Sequence, residues 1–141
     1  MNYKTFPAKF LIKGEGEGSA LVSEESLCFW GGVEPITGEI IDRKHPYFGQ
    51  SIKGKILVFP KNRGSSSSSA ILAETIKCGT NPAAIINLVC EPIIAIGPIV
   101  SGKLYKKKIP LVVVTREIFG ELNTGNWVVV DGDLGIIKVK G

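Results

Sequence analysis

Three continuous apolar runs constrain the fold of this chain more than any other feature of its sequence. They are residues 54–60 (GKILVFP), 82–89 (PAAIINLV) and 109–115 (IPLVVVT), and all three are rich in branched side chains. Strands that are covered on both faces have this composition. Between the first two runs, residues 67–79 (SSSAILAETIKCG) have one apolar face and end at a glycine, as helices do. The order strand, helix, strand predicts a β-α-β unit.

The other apolar segments are short and bounded by Gly, Pro and Asn, which predicts many strands and few helices. Strands are predicted in residues 8–14 (AKFLIKG) and 19–30 (SALVSEESLCFW), with the glycine-rich residues 14–18 (GEGEG) as a turn between them. A second helix, short and capped by Thr115, is predicted in residues 115–123. Residues 126–141 predict a hairpin in which Gly132 and Gly135 supply positive φ. The fold class is α/β, one compact mixed barrel or sandwich with about two helices.

Composition narrows the classes of function. The chain has 141 residues and a net charge of +4, with a block of lysines in residues 103–108 (KLYKKK) that we expect in a loop. Its cysteines, Cys28, Cys78 and Cys90, have no ligand spacing, so neither a disulfide framework nor a self-sufficient metal site is expected. No apolar run approaches the length of a membrane span, and the first residues lack a signal peptide's apolar region, so we expect a cytoplasmic protein.

Five consecutive serines occupy residues 65–69, directly after Arg63 and Gly64. The predicted elements place them on the turn between a strand and a helix. One serine is expected to cap the helix, and the residues alone leave open whether another takes part in chemistry. Free N–H groups and the helix dipole favour anions at such a turn, and Arg63 adds further donors.

Two other patterns are discounted as sites. Residues 49–56 (GQSIKGKI) nearly match a phosphate-binding loop but lack its final Ser or Thr, and they run into a strand. His45 is the single histidine, and its turn-like surroundings favour a structural role.

Several motifs in order resemble the small subunit of aconitase X proteins, which corresponds to the mobile swivel domain of aconitase-type dehydratases. The resemblance runs from about residue 27 to residue 137. Its motifs are FWGG at residues 29–32, TG at 37–38 with Asp42, HP at 45–46 and RGSS at 63–66. Each is weak alone, and together they are specific. The resemblance implies a single swivelling-type β/β/α domain over residues 1–141.

In archaea, such small subunits pair with a larger chain as phosphomevalonate dehydratase. This hydro-lyase converts (R)-5-phosphomevalonate to trans-anhydromevalonate 5-phosphate in a mevalonate pathway to isoprenoids, and relatives act on hydroxyprolines. The resemblance implies a heterodimer in which cysteines of the large subunit hold a [4Fe-4S] cluster and this chain binds no cofactor. The cluster would serve as the Lewis acid that accepts hydroxide.

The resemblance also implies roles for the serine turn, residues 63–67. Ser65 is the expected proton acceptor, with Ser66 as the fallback, and Arg63, Gly64 and Ser66 are the expected substrate-binding residues. Aconitases usually continue Gly-Ser-Ser with Arg, whereas this chain has Ser67 there. Carboxylate recognition is therefore expected from Arg63 or from the partner.

Further residues enter as hypotheses. Gly31, Gly32, Thr37 and His45 are candidates for shaping the mouth of the site or the large-subunit interface. Residues 93–102 (IIAIGPIVSG), which include Gly97, Pro98 and Ser101, are expected to form a loop, and an ordinary turn is favoured over a second loop that faces the site. The lysines at 106–108 are expected to steer an anionic substrate modestly.

Two alternatives stay open. One is the same chemistry on a hydroxyproline or another hydroxy acid. The other is a non-catalytic module that binds phosphate or nucleic acid, suggested by the mild positive charge and the lysine block.

Overall fold

The computed structural model of the chain describes residues 2–63 and 66–141, with Arg63 described for its backbone only. The described residues form three helices and twelve strands. The helices are α1 (Ser66–Cys78), α2 (Ile93–Tyr105) and α3 (Arg116–Phe119). The strands are β1 (Lys4–Pro7), β2 (Lys9–Ile12), β3 (Glu15–Val22), β4 (Leu27–Cys28), β5 (Val33–Glu34), β6 (Glu39–Ile40), β7 (Ile56–Val58), β8 (Asn62–Arg63), β9 (Ala84–Asn87), β10 (Leu111–Val113), β11 (Trp127–Asp131) and β12 (Ile136–Lys140).

Eight strands form one mixed sheet in the order β1-β12-β11-β3-β7-β9-β10-β2. The neighbours β3, β7, β9 and β10 are parallel, and the other pairs are antiparallel. The edge strands β1 and β2 are separated by Ala8 alone. Because consecutive Cα atoms are about 3.8 Å apart, the sheet has to curl until its two edges lie side by side. The predicted α/β fold class, in its barrel form, is confirmed.

The parallel strands alternate between two apolar cores. In β7, Ile56 and Val58 belong to one cluster with the hairpin β11–β12 and α3, whereas Leu57 belongs to the other, with α1 and α2. In β9, Ile85 faces the helices and Ile86 the opposite side. The continuous apolar runs in the sequence arise because both faces of these strands are buried.

The predicted β-α-β unit is confirmed, since β7 and β9 are parallel neighbours that α1 connects. Gly79 follows α1 with φ of +72°. The Gly79 N–H donates to the Ile76 carbonyl at 3.2 Å, and the Thr80 N–H donates to the Thr75 carbonyl at 2.9 Å. This bonding satisfies carbonyl groups that the helix end would leave free. The predicted N-cap of α3 is also confirmed, since Thr115 accepts a hydrogen bond from the Ile118 N–H.

The prediction of a loop in residues 93–102 is wrong, because this segment belongs to α2. Pro98 lies inside the helix and has no N–H to give to the Ile94 carbonyl. The Ser69 hydroxyl of α1 donates to that carbonyl at 3.1 Å and accepts the Gly97 N–H at 2.7 Å. A side chain from the neighbouring helix therefore replaces the missing bond. The chain has three helices where two were predicted.

The prediction of a turn in residues 14–18 is also wrong, because these residues belong almost wholly to β3. A Cβ atom on Gly16 would collide with the Ala83 carbonyl oxygen, and one on Gly18 with the Gly54 carbonyl oxygen. Glycine here permits close approach of backbone and does not mark a turn. The segment 19–30 likewise divides between two strands, β3 and β4.

The predicted C-terminal hairpin is confirmed, with β11 and β12 paired from Trp127 to Lys140. Within it, Gly135 has the expected positive φ of +68°, whereas Gly132 does not have positive φ. Gly132 instead lies so close to Gly14 that a Cβ atom would approach its backbone nitrogen to 2.8 Å.

Candidate active site

Asn62, directly before the serine turn, and Ser66, within it, lie at the edge of the sheet where the parallel strands end. β3, β7, β9 and β10 run in one direction, so their carboxyl ends share this edge. After β7 the chain passes through β8, which pairs in parallel with β4, and α1 then begins at Ser66. Ligands of α/β sheets commonly bind at this edge.

The predicted catalytic residues are only partly described. Gly64 and Ser65 lie outside the described residues, and Arg63 is placed as the last residue of β8 without its side chain. Ser66 is the first residue of α1 and is exposed. The roles of Ser65 as proton acceptor and of Arg63, Gly64 and Ser66 in binding substrate remain predictions.

The later serines of the run have separate structural roles. Ser67 is exposed beside Ser66 in the first turn of α1, whereas Ser68 and Ser69 are buried. Ser68 Oγ accepts the Trp30 N–H at 3.2 Å and lies 3.5 Å from Cys28 Sγ. Ser69 joins α1 to α2 as described above. A helix cap needs one serine, and the hydrogen bonds of Ser68 and Ser69 explain two of the others.

The contacts of Ser68 fix residues 28–30 against the beginning of α1. The Cys28 thiol donates to the Trp30 carbonyl at 3.1 Å, which closes a small loop beside Ser68. The Trp30 side chain nevertheless remains 63% exposed. A large aromatic surface is thus held close to the start of α1, where the serine turn ends.

Two asparagines that the sequence analysis did not single out lie at the same edge. Asn87 is the last residue of β9 and is completely buried. Its Nδ2 donates to the Phe59 carbonyl at 2.9 Å, and its Oδ1 accepts a hydrogen bond from Asn62 Nδ2 at 2.9 Å. The available signal was a polar residue interrupting an apolar run where a parallel strand ends.

The two long helices direct their N-termini toward this edge. Ser69 of α1 contacts the first half of α2, and Ser101 Oγ of α2 donates to the Ala73 carbonyl of α1 at 2.9 Å, so the helices run side by side in the same direction. Neither helix has an acidic residue in its first turn. The positive ends of both helix dipoles therefore lie at this edge of the sheet, where they favour an anionic ligand.

The lysine block lies at the C-terminal end of α2, away from the start of α1, and its modest steering role stays a prediction. Lys103 belongs to the last turn of α2, and Lys106 is its C-cap residue with φ of 55°. A helix of 13 residues is about 20 Å long, so these lysines lie at the far end of the helical layer. Cations at helix C-termini interact favourably with the dipole, which gives the block a structural role.

The residues proposed to shape the mouth of the site have different surroundings. Gly32 is buried, and a Cβ atom there would collide with the Cys28 carbonyl oxygen, so this glycine lies beside the serine-run contacts. Thr37 precedes Gly38, which packs against Thr80 just after the C-terminus of α1, at the end opposite the serine turn. That position contradicts a role for Thr37 at the mouth.

His45 has the structural role that its sequence context favoured. It is 8% exposed, and its Nδ1 accepts the Tyr47 N–H at 3.1 Å. Burial lowers the pKa of the imidazole, against a smaller opposing effect from Asp42. The ring is therefore suited to remain neutral in the folded chain.

The cysteines do not form a metal site within the described part of the chain. Cys28 contacts Ser68, Cys78 ends α1 on the surface, and Cys90 precedes α2. Among the described residues, the one group of three potential ligands is the carboxylate set Glu15, Asp131 and Asp133. The charge of Asp133 in particular raises the pKa of Glu15. These residues do not fit a [4Fe-4S] cluster, which needs several cysteines together.

None of the described helices has the length and apolar character needed to cross a membrane.

Comparisons with known proteins agree with the fold. A family model of the aconitase X swivel domain matches residues 5–139. The phosphomevalonate dehydratase small subunit of Methanothermobacter thermautotrophicus is 44% identical over 131 residues, which cover 92% of this chain and 95% of that protein. Its name implies a larger partner chain.

Two further relatives bear on the family. In the crystal structure of Thermococcus kodakaraensis aconitase X, in its holo-form, a chain of 36% identity superimposes with a TM-score of 0.85 and covers 98% of this chain and 99% of its own. Cis-3-hydroxy-L-proline dehydratase of Pseudomonas aeruginosa is 38% identical over 117 residues, which are 83% of this chain but 20% of that protein. Sequence, fold and length thus agree, and the chain belongs to the aconitase X swivel-domain family.

Proposed function

We propose that this chain, over its whole length of residues 1–141, is the swivel-domain small subunit of a cytoplasmic phosphomevalonate dehydratase. The reaction removes water from (R)-5-phosphomevalonate to give trans-anhydromevalonate 5-phosphate in a mevalonate pathway. The observation that carries this proposal is the 44% identity to a small subunit of that name across nearly the full length of both chains.

A second candidate is the same elimination on a hydroxyproline. The Pseudomonas aeruginosa relative named for that substrate supports it, at 38% identity. This chain spans only 20% of that relative, however, whereas it covers 95% of the small subunit from Methanothermobacter thermautotrophicus. The match in length favours phosphomevalonate.

The proposal includes a large subunit as heterodimer partner. We place the [4Fe-4S] cluster on that partner because the cysteines of this chain lie in separate places. A bound cluster would supply a Lewis acid for the departing hydroxide. The contribution of this chain is the other half of the elimination, the removal of the proton next to the carboxylate.

We assign the removal of this proton to Ser65. A serine is a weak base, so its alkoxide requires donors that stabilise negative charge. The N-terminus of α1 supplies the positive end of a helix dipole, and Arg63 is assigned to bind the substrate carboxylate. Gly64 is assigned to let the backbone approach the substrate, and Ser66 is the alternative base.

The non-catalytic alternative receives no support from the placement of charge. The lysines that suggested a phosphate or nucleic-acid module lie at the C-terminal end of α2, away from the helix N-termini. No aromatic side chain but Tyr105 belongs to that block.

The test is to co-express the chain with the large aconitase X subunit of the same genome, assemble the cluster without oxygen, and measure water loss from 5-phosphomevalonate by mass spectrometry. Ser65→Ala should lower kcat by about 100- to 10,000-fold, the usual contribution of a positioned base. Ser67→Ala is the matched control, since this residue is exposed in the same turn. Its kcat should match wild type.

The outcomes separate the assignments. A loss in Ser66→Ala with retention in Ser65→Ala would transfer the role of base to Ser66. Wild-type turnover in both variants would remove the serine turn from the chemistry. Turnover of cis-3-hydroxy-L-proline, without turnover of 5-phosphomevalonate, would select the second candidate.

A further inference from the structure

Two asparagine side chains at the site edge form a hydrogen-bonded chain whose direction is fixed. Asn87 Nδ2 donates to the Phe59 carbonyl, so Asn87 Oδ1 faces the other way and is an acceptor. Asn62 must therefore present Nδ2 to that oxygen, and the two atoms lie 2.9 Å apart. Each amide has one donor end and one acceptor end, so the first bond determines the orientation of both side chains.

This chain of bonds attaches the segment before the serine turn to the sheet. Phe59 directly follows β7, Asn62 begins β8, and Asn87 ends β9. One completely buried side chain thus holds both ends of residues 59–62, and the Leu88 N–H donates to the Pro60 carbonyl at 2.9 Å between them. Together with the pairing to β4, Asn87 therefore fixes the position of β8, from which the chain enters the serine turn.

The other side of the turn is attached in an equivalent way. Ser68 and Ser69 fix the beginning of α1 to residues 28–30 and to α2. Anchors therefore flank residues 63–67 on both sides. Such anchoring has a purpose at a reacting group, since a displacement of 1 Å can cost roughly 100-fold in rate.

Asn62 Oδ1 is the end of the chain of bonds, and it is buried without a hydrogen-bond donor among the described residues. Its amide orientation is imposed by Asn87, so the oxygen cannot exchange places with Nδ2 to find a partner. Cys90 interacts with the Asn62 side chain, but it does not supply the donor that this oxygen lacks. Burial raises the pKa of that thiol, and a hydrogen bond from the Asn62 side chain opposes the rise, which uses the donor end of the amide.

We propose that Asn87 and Asn62 are positioning residues for proton abstraction: their hydrogen bonds hold residues 59–62, and with them β8, against the end of β9. The proposal rests on the proposed function for its catalytic consequence. Neither asparagine contacts the reacting atoms. Both act through the position of the turn.

The first experiment uses the assembled complex with Asn62→Leu, Asn62→Asp and, as control, Asn81→Leu. Leucine has the branching of asparagine but forms no hydrogen bonds, whereas aspartate has the shape of asparagine but faces Asn87 Oδ1 with an acceptor oxygen and adds a negative charge. Asn81 is a half-buried asparagine whose Nδ2 also donates to a carbonyl, and it precedes β9 at the opposite edge of the sheet.

The readout is the deuterium isotope effect on kcat, with deuterium in place of the hydrogen next to the carboxylate of 5-phosphomevalonate. Asn62→Leu should lower kcat by about 10- to 100-fold and increase the isotope effect, with KM within about threefold, because proton abstraction becomes slower while substrate binding persists. Asn81→Leu should leave both unchanged. A purely structural loss would lower the amount of active complex without altering the isotope effect.

The second experiment does not depend on activity. Hydrogen exchange of the peptide covering residues 62–69 is measured by mass spectrometry in the same complexes. Asn62→Leu should accelerate exchange at least about tenfold, and Asn81→Leu should not. This measurement decides the positioning proposal even if the wild-type complex fails to dehydrate 5-phosphomevalonate, an outcome that would refute the proposed function alone.

The two Asn62 variants test the attachment through Asn87 in different ways. Fast exchange in both supports the proposal, because neither leucine nor an ionised aspartate can donate to Asn87 Oδ1. Fast exchange in Asn62→Leu together with wild-type exchange in Asn62→Asp overturns it, because the donation to Asn87 is then dispensable. Exchange and isotope effect as in wild type for both variants overturn the proposal entirely.

Discussion

Ser69 should contribute an unusually large share of stability for a serine, because it replaces a helical hydrogen bond that Pro98 cannot make. Its hydroxyl is bonded to the Ile94 carbonyl at 3.1 Å and to the Gly97 N–H at 2.7 Å, and the residue is 3% exposed. Ser69→Ala leaves two buried backbone groups without partners. At about 1–3 kcal/mol for each such group, we expect a loss of about 2–6 kcal/mol in the free energy of unfolding.

The corresponding change in melting temperature follows from the size of the chain. Unfolding entropy is about 2.1 cal/mol/K per residue, so the melting temperature of a 141-residue chain should fall by roughly 7–20 °C for that free energy. Thermal and urea unfolding of the full chain, followed by circular dichroism, measures both quantities. Ser67→Ala, in the same helix but exposed, should change the free energy by less than about 0.5 kcal/mol.

A double-mutant cycle tests the explanation itself. In the Ser69→Ala background, Pro98→Ala restores an N–H that can donate to the Ile94 carbonyl, so it should recover about 1 kcal/mol or more beyond its effect in the wild-type background. A melting temperature for Ser69→Ala within about 2 °C of wild type would refute the reasoning. So would additivity of the two substitutions.

Three further predictions concern stability and reactivity. Burial lowers the pKa of His45, so the unfolded state binds more protons than the folded state near pH 6. The free energy of unfolding should therefore fall as pH is lowered from about 7 to 5. Urea titrations at each pH measure this dependence, which should be weaker in His45→Gln. Cys90 is half-buried, and burial raises the pKa of its thiol. At pH 7.5, iodoacetamide should therefore modify Cys90 at least about tenfold more slowly than the exposed Cys78, as measured by peptide mass spectrometry. Equal rates would contradict the placement of Cys90. Gly18→Ala should destabilise the chain by about 1–3 kcal/mol, because the added Cβ collides with a backbone oxygen. Gly120→Ala, where the added Cβ has ordinary contacts, should be neutral or slightly stabilising. Equal melting temperatures for the two variants would refute the collision.

The parts of the fold that the sequence predicted are those that local patterns determine. The apolar runs on both sides of α1, the glycine after it and the Thr115 cap each act through their near neighbours along the chain. The hairpin is of the same kind, since its strands are close in sequence. Such features can be predicted because distant residues do not have to be known.

The errors share the opposite cause. Pro98 and Gly97 normally exclude a helix, and α2 exists because Ser69, 28 residues earlier, supplies the missing hydrogen bonds. Gly16 and Gly18 predict a turn by composition, yet they lie in β3 because distant carbonyl oxygens approach it. In both cases a tertiary contact reverses the local preference, and a single sequence does not contain that contact explicitly.

The site residues also divide into those that a local sequence pattern indicated and those that depend on tertiary contacts. The family motif directed attention to Ser65 and its neighbours, whereas Asn62 and Asn87 are 25 residues apart and carry no motif. Their role emerges only when the parallel strands bring both to one edge. An alternation between polar and apolar residues could not have revealed it, since β9 is buried on both faces.

The closure of the sheet at Ala8 has a consequence for how the chain is made. The first two strands, β1 and β2, pair with β12 and β10, which are among the last parts of the chain to be synthesised. Two unpaired strand edges, which invite aggregation, therefore persist until β10 and β12 emerge. Pairing across such sequence separations is slow, so the chain should depend on chaperones during synthesis more than a helical bundle of equal length.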